Sequence, residues 1–276
     1  MTTFIPAYDT EAADCLKAVR TILDVHAQFD MPATFFIVAG LLDKQGAEYA
    51  RLFNGQAHFE IASHTYTHML LRDNRICGKA GPPEHFRREI VESKKRIEDQ
   101  LGRAVQGFRP AVGFSEGFRG APELLSLCRE AGYRYTSALL WGPQDSMPAL
   151  LAQPFTYATE GYPDLWEIPG NGWHENILKP HSNLSPAALQ LYPHPMPEAA
   201  LLRRLETPEE EFALNRAFID GAPKRGIGHV SLVWHPWSLG RFDPEMRMLK
   251  LTFQYVREQG LKTSTFRDYA AHLASA

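Results

Sequence analysis

His64-Thr65-Tyr66-Thr67-His68 follows the strand-like run His58 to Ser63, so it lies where a strand empties into a loop or the start of a helix. On one helical turn, two imidazoles four residues apart point the same way and both can reach one divalent cation. An isolated H-x-x-x-H is a weak motif that more often marks two polar residues on a surface turn. Its meaning depends on which other groups the fold brings to the same place.

The flanking segments alternate between two periods. Upstream, Thr3 to Tyr8 reads as a short strand ending at Asp9, and Glu11 to Gln28 carries Leu16, Val19, Leu23 and Ala27 at helical spacing. Ala33 to Ala39 is a continuous apolar run between Pro32 and Gly40, short enough for a strand buried on both faces, with a short helix following near Gly46 to Phe53. Downstream, Glu84 to Leu101 is helical and stops at Gly102; Gly107-Phe108-Arg109-Pro110 is extended; Ala121 to Ala131 is a helix and Tyr135 to Leu140 a strand closing at Trp141. Residues 142 to 200 are rich in proline and less regular, with one strand-like segment, Leu165 to Pro169, running into Gly170-Asn171-Gly172-Trp173-His174-Glu175. Regularity returns at Thr207-Pro208-Glu209-Glu210, a capping box heading a helix to about Asp220. His229 to Trp234 is a strand ending at His235, Asp243-Pro244 heads a helix ending at Gly260, Leu261 to Phe266 is a last strand, and Arg267 to Leu273 a last helix. Such alternation predicts one α/β domain over residues 1–276, a distorted (β/α) barrel of about seven parallel strands.

Composition narrows the function classes. With 29 basic and 32 acidic residues spread along 276, the net charge of −3 leaves no basic stripe for phosphates, so no nucleic-acid partner is expected. Cys15, Cys77 and Cys128 are odd in number and contain no C-x-x-C, which suits a reducing compartment. Phe4 already stands in a strand-like run, so no signal sequence is expected, and no run approaches about 18 apolar residues. The expectation is a cytoplasmic protein with no membrane partner.

In a parallel barrel the C-terminal strand ends share one face, and Asp9, His64, Arg109, Trp141 and His235 all fall at or just past such ends. Two histidines and a carboxylate make a three-ligand set with open positions for water and a substrate oxygen, the chemistry of zinc or a similar ion. Carried by Pro32-Ala33-Thr34-Phe35-Phe36, Glu60-Ile61-Ala62-Ser63-His64-Thr65-Tyr66-Thr67-His68, Ser93-Lys94, Gly107-Phe108-Arg109-Pro110, Gly132-Tyr133 and Leu232-Val233-Trp234-His235-Pro236, in this order, the chain resembles the polysaccharide deacetylase family of carbohydrate esterases, nearest its peptidoglycan-deacetylase and allantoinase-like subgroup. The resemblance implies a distorted barrel and a divalent metal, zinc above all. The implied reaction is hydrolysis of a non-peptide amide, typically N-deacetylation of a sugar or small amide.

Carried over residue by residue, the resemblance makes His64 and His68 metal ligands, Arg109 the positioner of the catalytic carboxylate, and His235 the acid that protonates the departing amine. The family's first motif has two adjacent aspartates, a base and a ligand, where this chain has Asp9-Thr10-Glu11. Either Asp9 binds the metal and Glu11 or no residue is the base, or Asp9 is the base and Glu11 reaches the ion; Asp9 on the metal is the preferred expectation. Period-two geometry puts both on one side of a continuing strand. No aspartate in Tyr135 to Trp141 is placed to tune the acid, and Glu175 is the substitute. Trp141, Trp173 and Glu175 are expected on the substrate side. His58, His174, His181 and His194 are expected to be ordinary hydrogen-bonded histidines rather than ligands.

Other readings stay open. Gly113-Phe114-Ser115-Glu116-Gly117 satisfies G-x-S-x-G, but Pro110 upstream and Gly117 to Gly120 downstream deny it the strand and helix of a nucleophile elbow. The same fold could serve a ureide hydrolase like the metal-independent allantoinases, or a carbohydrate- or ureide-binding barrel without catalysis; a stoichiometric divalent ion would favour the deacetylase over both. Neither the substrate's acyl group nor the oligomeric state, a homo-oligomer included, is legible.

Overall fold

Short apolar strands alternate with amphipathic helices through most of the chain, and in the computed structural model, which describes residues 2–275, they wrap into a curled sheet with helices outside. The strands are β1 (Thr3–Phe4), β2 (Ala7–Thr10), β3 (Ala33–Ile37), β4 (Phe59–Ser63), β5 (Gly107–Phe108), β6 (Tyr135–Thr136), β7 (Phe155–Tyr157), β8 (Tyr162–Glu167), β9 (Asn171–His174), β10 (His229–Val230), β11 (Leu232–Trp234) and β12 (Lys262–Thr263). The main sheet has the order β7-β8-β6-β5-β4-β3-β2-β11-β9, and a smaller one the order β10-β1-β12. Each described pairing is parallel except β7 with β8. The strands β8 and β9 lie at opposite ends of the parallel order yet are joined by only residues 168–170, a link too short to span an open sheet. The sheet therefore curls toward closure with no ladder across the seam among the described residues. This is the expected distorted barrel, with eight parallel strands in its main sheet where about seven are predicted.

The helices are α1 (Cys15–Phe29), α2 (Leu42–Phe53), α3 (Ser93–Leu101), α4 (Pro122–Ala131), the short α5 (Glu175–Leu178) and α6 (Pro186–Leu189), α7 (Pro208–Lys224), α8 (Pro236–Phe242), α9 (Arg247–Glu258) and α10 (Phe266–Ser275). The capping box works as its sequence implies: the Thr207 hydroxyl accepts from the Glu210 amide at the head of α7. No described helix is long and apolar enough to cross a membrane.

Two differences from the sequence reading are local. The strand predicted over Leu165–Pro169 starts earlier, at Tyr162, because β7 pairs with it as an antiparallel hairpin partner from the proline-rich region. The strand predicted over Tyr135–Leu140 is laddered only at Tyr135–Thr136. Beyond it the chain turns to meet Phe114, whose amide donates to the Ala138 carbonyl.

Alternation along the strands splits the apolar residues between two cores. Tyr8, Phe35, Ile37, Ile61 and Phe108 join the large core under the outer helices, whereas Ala7, Phe36, Ala62, Tyr135 and Ile168 form a smaller one with Phe266, Tyr269 and Ala270 of α10. That smaller core fills the curl beneath the strand ends. Gly107 makes it possible: a Cβ there would stand 1.9 Å from the Tyr135 ring, so only glycine lets that ring cross β5 and donate its hydroxyl to Glu60 at 2.7 Å. Gly107→Ala should therefore cost about 1–3 kcal/mol by forced displacement of the ring, read as a lower denaturation midpoint with an unchanged slope.

Candidate active site

Four strand ends and one strand-to-helix junction bring the predicted groups together. Asp9 lies in β2 with Glu11 just past it, His64 follows β4, Arg109 follows β5, His235 follows β11, and Glu175 opens α5 directly after β9. The registers Asp9↔Phe36 and Ile37↔Ser63, with the Arg109 amide donating to the Ser63 carbonyl at 2.9 Å, put these ends at one level.

The histidine pair does not sit on a helical turn. Thr65 and His68 both have positive φ, 68° and 65°, so the backbone doubles back, and the His68 amide donates to the Thr65 hydroxyl at 3.0 Å. Glu89 braces this bend: its carboxylate accepts from the amides of Tyr66 and Thr67 at 2.9 and 2.8 Å and from the Thr67 hydroxyl at 2.7 Å. It reaches in from a π-helical turn over Arg88–Glu92 just before α3. The imidazoles end with ring centroids 5.0 Å apart. The convergence read from the spacing is there, but a strained loop produces it. Glu89 escapes a motif reading; its signal is a carboxylate on the inward stripe of the helix, three residues after Phe86 and four before Ser93.

The two first-motif carboxylates divide between two partners. Asp9 Oδ1 accepts from Arg109 Nη1 at 2.6 Å, and Arg109 Nη2 donates to the Ser137 hydroxyl at 3.1 Å. Glu11 Oε2 stands 2.8 Å from His68 Nε2 and 3.7 Å from His64 Nε2, and its Oε1 accepts from Trp237 Nε1 at 2.8 Å. Asp9 Oδ2 lies farther off, 3.9 Å from His64 Nε2. The cluster able to hold a cation among the described residues is thus Glu11, His64 and His68, with ligand atoms all within 4.8 Å of one another. Preferred on sequence for the ion, Asp9 is instead the carboxylate that Arg109 holds.

This donor set fits a divalent ion. Among the described residues neither His64 Nε2 nor His68 Nε2 makes a hydrogen bond of proper geometry although both atoms are buried, while His64 Nδ1 is fixed by the Arg109 carbonyl at 3.0 Å, the tautomer that leaves Nε2 free as a donor to a metal. Donor atoms around a tetrahedral ion with bonds of about 2.0–2.1 Å lie about 3.3 Å apart, inside the observed spread.

Charges complete the arrangement. Burial alone would raise Asp9, but the Arg109 guanidinium, with His64 and His235, holds its carboxyl below the usual range. Glu11, also pushed up by burial, is brought well below its usual value by His235, His64 and His68. Burial works against a charged His235, yet Glu11 and Glu175 outweigh it and lift the imidazole to about 9. Its Nδ1 lies 3.3 Å from Glu175 Oε1, which also accepts from the His235 amide at 2.7 Å; Glu175 Oε2 accepts from Ser238 Oγ at 2.9 Å. Behind Glu175 stands the buried Lys179, 3.5 Å away and paired with Glu211. Glu175 is therefore not on the substrate side but beneath His235, 2% exposed. Trp173 is likewise buried, donating its indole N–H to the Ala199 carbonyl, and Trp141 packs beside His174, whose ring burial lowers to about 4. His174 in turn stands 6.1 Å from the His235 ring. Trp237 is an aromatic residue that the sequence reading did not single out, one position past the Leu232 to Pro236 segment that it did. Ser115 lies in a bend between β5 and α4, not at a strand-to-helix elbow.

Comparison with known proteins was made on this geometry. The model of the family described as polysaccharide deacetylase matches residues 8–136, a span containing Asp9, Glu11, His64, His68 and Arg109. Over that span the chain is similar to the polysaccharide deacetylase family. A chitooligosaccharide deacetylase of Rhizobium leguminosarum bv. phaseoli is 35% identical over 77 residues, 28% of this chain and 30% of that protein, so the chain spans less than a third of that relative's length. Solved structures share the fold of this chain over nearly its whole length: a Puue allantoinase (15% identity, 100% of this chain and 90% of that one, TM-score 0.66) and a probable polysaccharide deacetylase from Pseudomonas aeruginosa PAO1 (16%, 98% and 89%, TM-score 0.64). A CE4 family pseudoenzyme from Bacillus anthracis shares it at 14% identity, covering 98% of this chain and 65% of that one, with a TM-score of 0.54. The half of the site carrying Glu175 and His235 lies outside the matched residues and rests on the fold.

A raised histidine pKa is also a stability statement. The folded state holds a proton on His235 that the unfolded chain releases near 6.5, so this contribution is full below that pH and lost as pH rises through about 9. In metal-free protein, NMR titration should find the His235 ring titrating near 9, and Glu175→Gln should lower that value and shift the alkaline loss of stability to lower pH.

Proposed function

We propose that this protein is a divalent-metal-dependent hydrolase of a non-peptide amide C–N bond, removing the acetyl group from an N-acetylated sugar or related small amide. The observation that supports it most is the separation of roles in space: a His–His–Glu cluster between a carboxylate locked to arginine on one side and a protonated histidine on the other. The match of residues 8–136 to the polysaccharide deacetylase family supports the reaction class. The allantoinase fold, covering the whole chain, supports a ureide as the second substrate class, since both substrates present an amide carbonyl and a nitrogen leaving group.

Glu11, His64 and His68 would hold the ion, zinc being the metal best suited to two imidazoles and one carboxylate with positions left open. Bound there, it supplies Lewis acidity, lowering the pKa of a water and polarising a carbonyl. Asp9 is the base. Arg109 occupies Oδ1, which leaves Oδ2 on the side facing His64 to take the proton of the attacking water. Arg109 keeps that carboxyl ionised and fixes its plane. As the C–N bond breaks, the nitrogen retains the bonding pair and takes a proton from His235 Nε2, whose ring is oriented by Glu175 at Nδ1. Asp9 ionised and His235 protonated coexist over the working range, which gives a bell-shaped pH profile. Trp237, half-buried at the mouth and bonded to Glu11, and Trp141 would border the substrate. Three free cysteines suit a reducing, cytoplasmic setting.

Metal analysis of purified protein should give one divalent ion per chain. Glu11→Gln should lose it, whereas Asp9→Asn should keep it and lose about 10²–10⁴-fold in kcat on N-acetylated sugars or ureides. Ser115→Ala should leave both unchanged. A metal-free protein fully active on either substrate, or an active Asp9→Asn enzyme, would overturn the assignment.

A further inference from the structure

Arg109 is fully buried, yet its hydrogen bonds account for only part of its fork. Nη1 is given to Asp9 and Nη2 to Ser137, while Nε has no partner among the described residues. A guanidinium so sparsely bonded is held largely through its faces. One neighbour is the Phe36 ring of β3, 4.0 Å from Cζ; the other, at 5.4 Å, is the Phe266 ring.

Phe266 belongs to no strand. It is the first residue of α10, the helix that enters the curl from below, and its place there is fixed by a polar lock remote from the reacting groups. Its amide donates to the Thr34 hydroxyl at 2.9 Å, and the next amide, of Arg267, donates to Glu60 Oε2 at 2.7 Å. The same oxygen accepts from the Thr34 hydroxyl at 2.8 Å, and Glu60 Oε1 from Tyr135 at 2.7 Å. The Phe266 ring then stacks on Tyr135, centroids 5.6 Å apart at 23°, and meets Phe36 edge-on at 5.4 Å. Ring, helix start and Glu60 form one block under the guanidinium.

We propose that Phe266 is a positioning residue for hydrolysis: entering from the C-terminal helix, it holds the Arg109 guanidinium from below in the plane that presents Asp9 to the reacting water. The inference rests on the functional reading above for what Asp9 does, but not for the packing on Arg109. Without the ring, Arg109 keeps its charge and its partner but gains room to rotate about its unbonded Nε. Small displacements of a positioned catalytic group are costly in rate while leaving substrate binding intact.

The test uses the full-length chain labelled with ¹⁵N-arginine, the Arg109 resonances being assigned by their loss in Arg109→Lys. In Phe266→Leu the guanidinium protons of Arg109 should exchange with water about tenfold faster. Tyr269→Leu is the control: it removes another buried ring of α10, one that packs on His229 and His272, and should leave the exchange unchanged. With N-acetylated chitotetraose as substrate, kcat of Phe266→Leu should fall about tenfold with KM within twofold, and the same change in an Arg109→Lys background should cost nothing further. If Phe266→Leu does not fold, Thr34→Val, which removes only the lock, should show the same accelerated exchange. Unchanged Arg109 exchange in the folded variant, or a loss of kcat that adds to that of Arg109→Lys, overturns the proposal. If Asp9→Asn proves active while Phe266→Leu still loosens Arg109, the functional reading falls and the packing inference stands.

Discussion

The buried ion pair between Arg109 and Asp9 decides what every other group at the strand ends can do. Neither partner has water to fall back on, so removing either leaves an uncompensated charge at a cost of about 3–5 kcal/mol. Their attraction holds one oxygen of Asp9 away from the cation cluster and keeps its carboxyl ionised. With Asp9 committed, the next residue on the same side of the chain, Glu11, is the one that meets the imidazoles. The inserted Thr10 is what makes this geometry available, since an adjacent pair on a strand would face opposite sides.

On the far side of the cluster a second set of buried charges does the reverse for an imidazole. His235, Glu175, Lys179 and Glu211 alternate in sign from the site into the protein, so Glu175 can be both fully buried and ionised while it supports a protonated ring. A carboxylate held low and a histidine held high, on opposite sides of the Glu11, His64 and His68 cluster, are what the proposed general-base and general-acid steps at a common pH require. Glu89 and the Thr65 bend supply the third fixed element, the spacing of the imidazoles.

Much of this was legible in the chain, for reasons that can be named. Ala33 to Ala39 and His58 to Ser63 announce buried strands by their unbroken or alternating apolar character, and strand ends in a parallel sheet share a face, so Asp9, His64, Arg109 and His235 could be grouped without coordinates. The roles of Asp9 and Glu11 could not, because Asp-Thr-Glu is locally symmetric between the two assignments and the tie is broken by an arginine 100 residues away. Glu175 was invisible as a buried residue because it sits after Gly170-Asn171-Gly172 in a proline-rich stretch that carries no periodicity. The plugging of the curl by α10 is equally non-local: Phe266 ends a modest apolar run, and nothing in its neighbourhood points to Thr34 or Glu60.

The central claim is that the ion belongs to Glu11, His64 and His68 while Asp9 stays with Arg109. It is tested most directly by a crystal structure of the protein loaded with zinc, the ion located by its anomalous signal. The account predicts an ion about 2.0–2.2 Å from Glu11 Oε2 and from both histidine Nε2 atoms, with the Asp9–Arg109 contact intact. An ion ligated by Asp9 with Arg109 displaced, or bound away from this histidine pair, would contradict it.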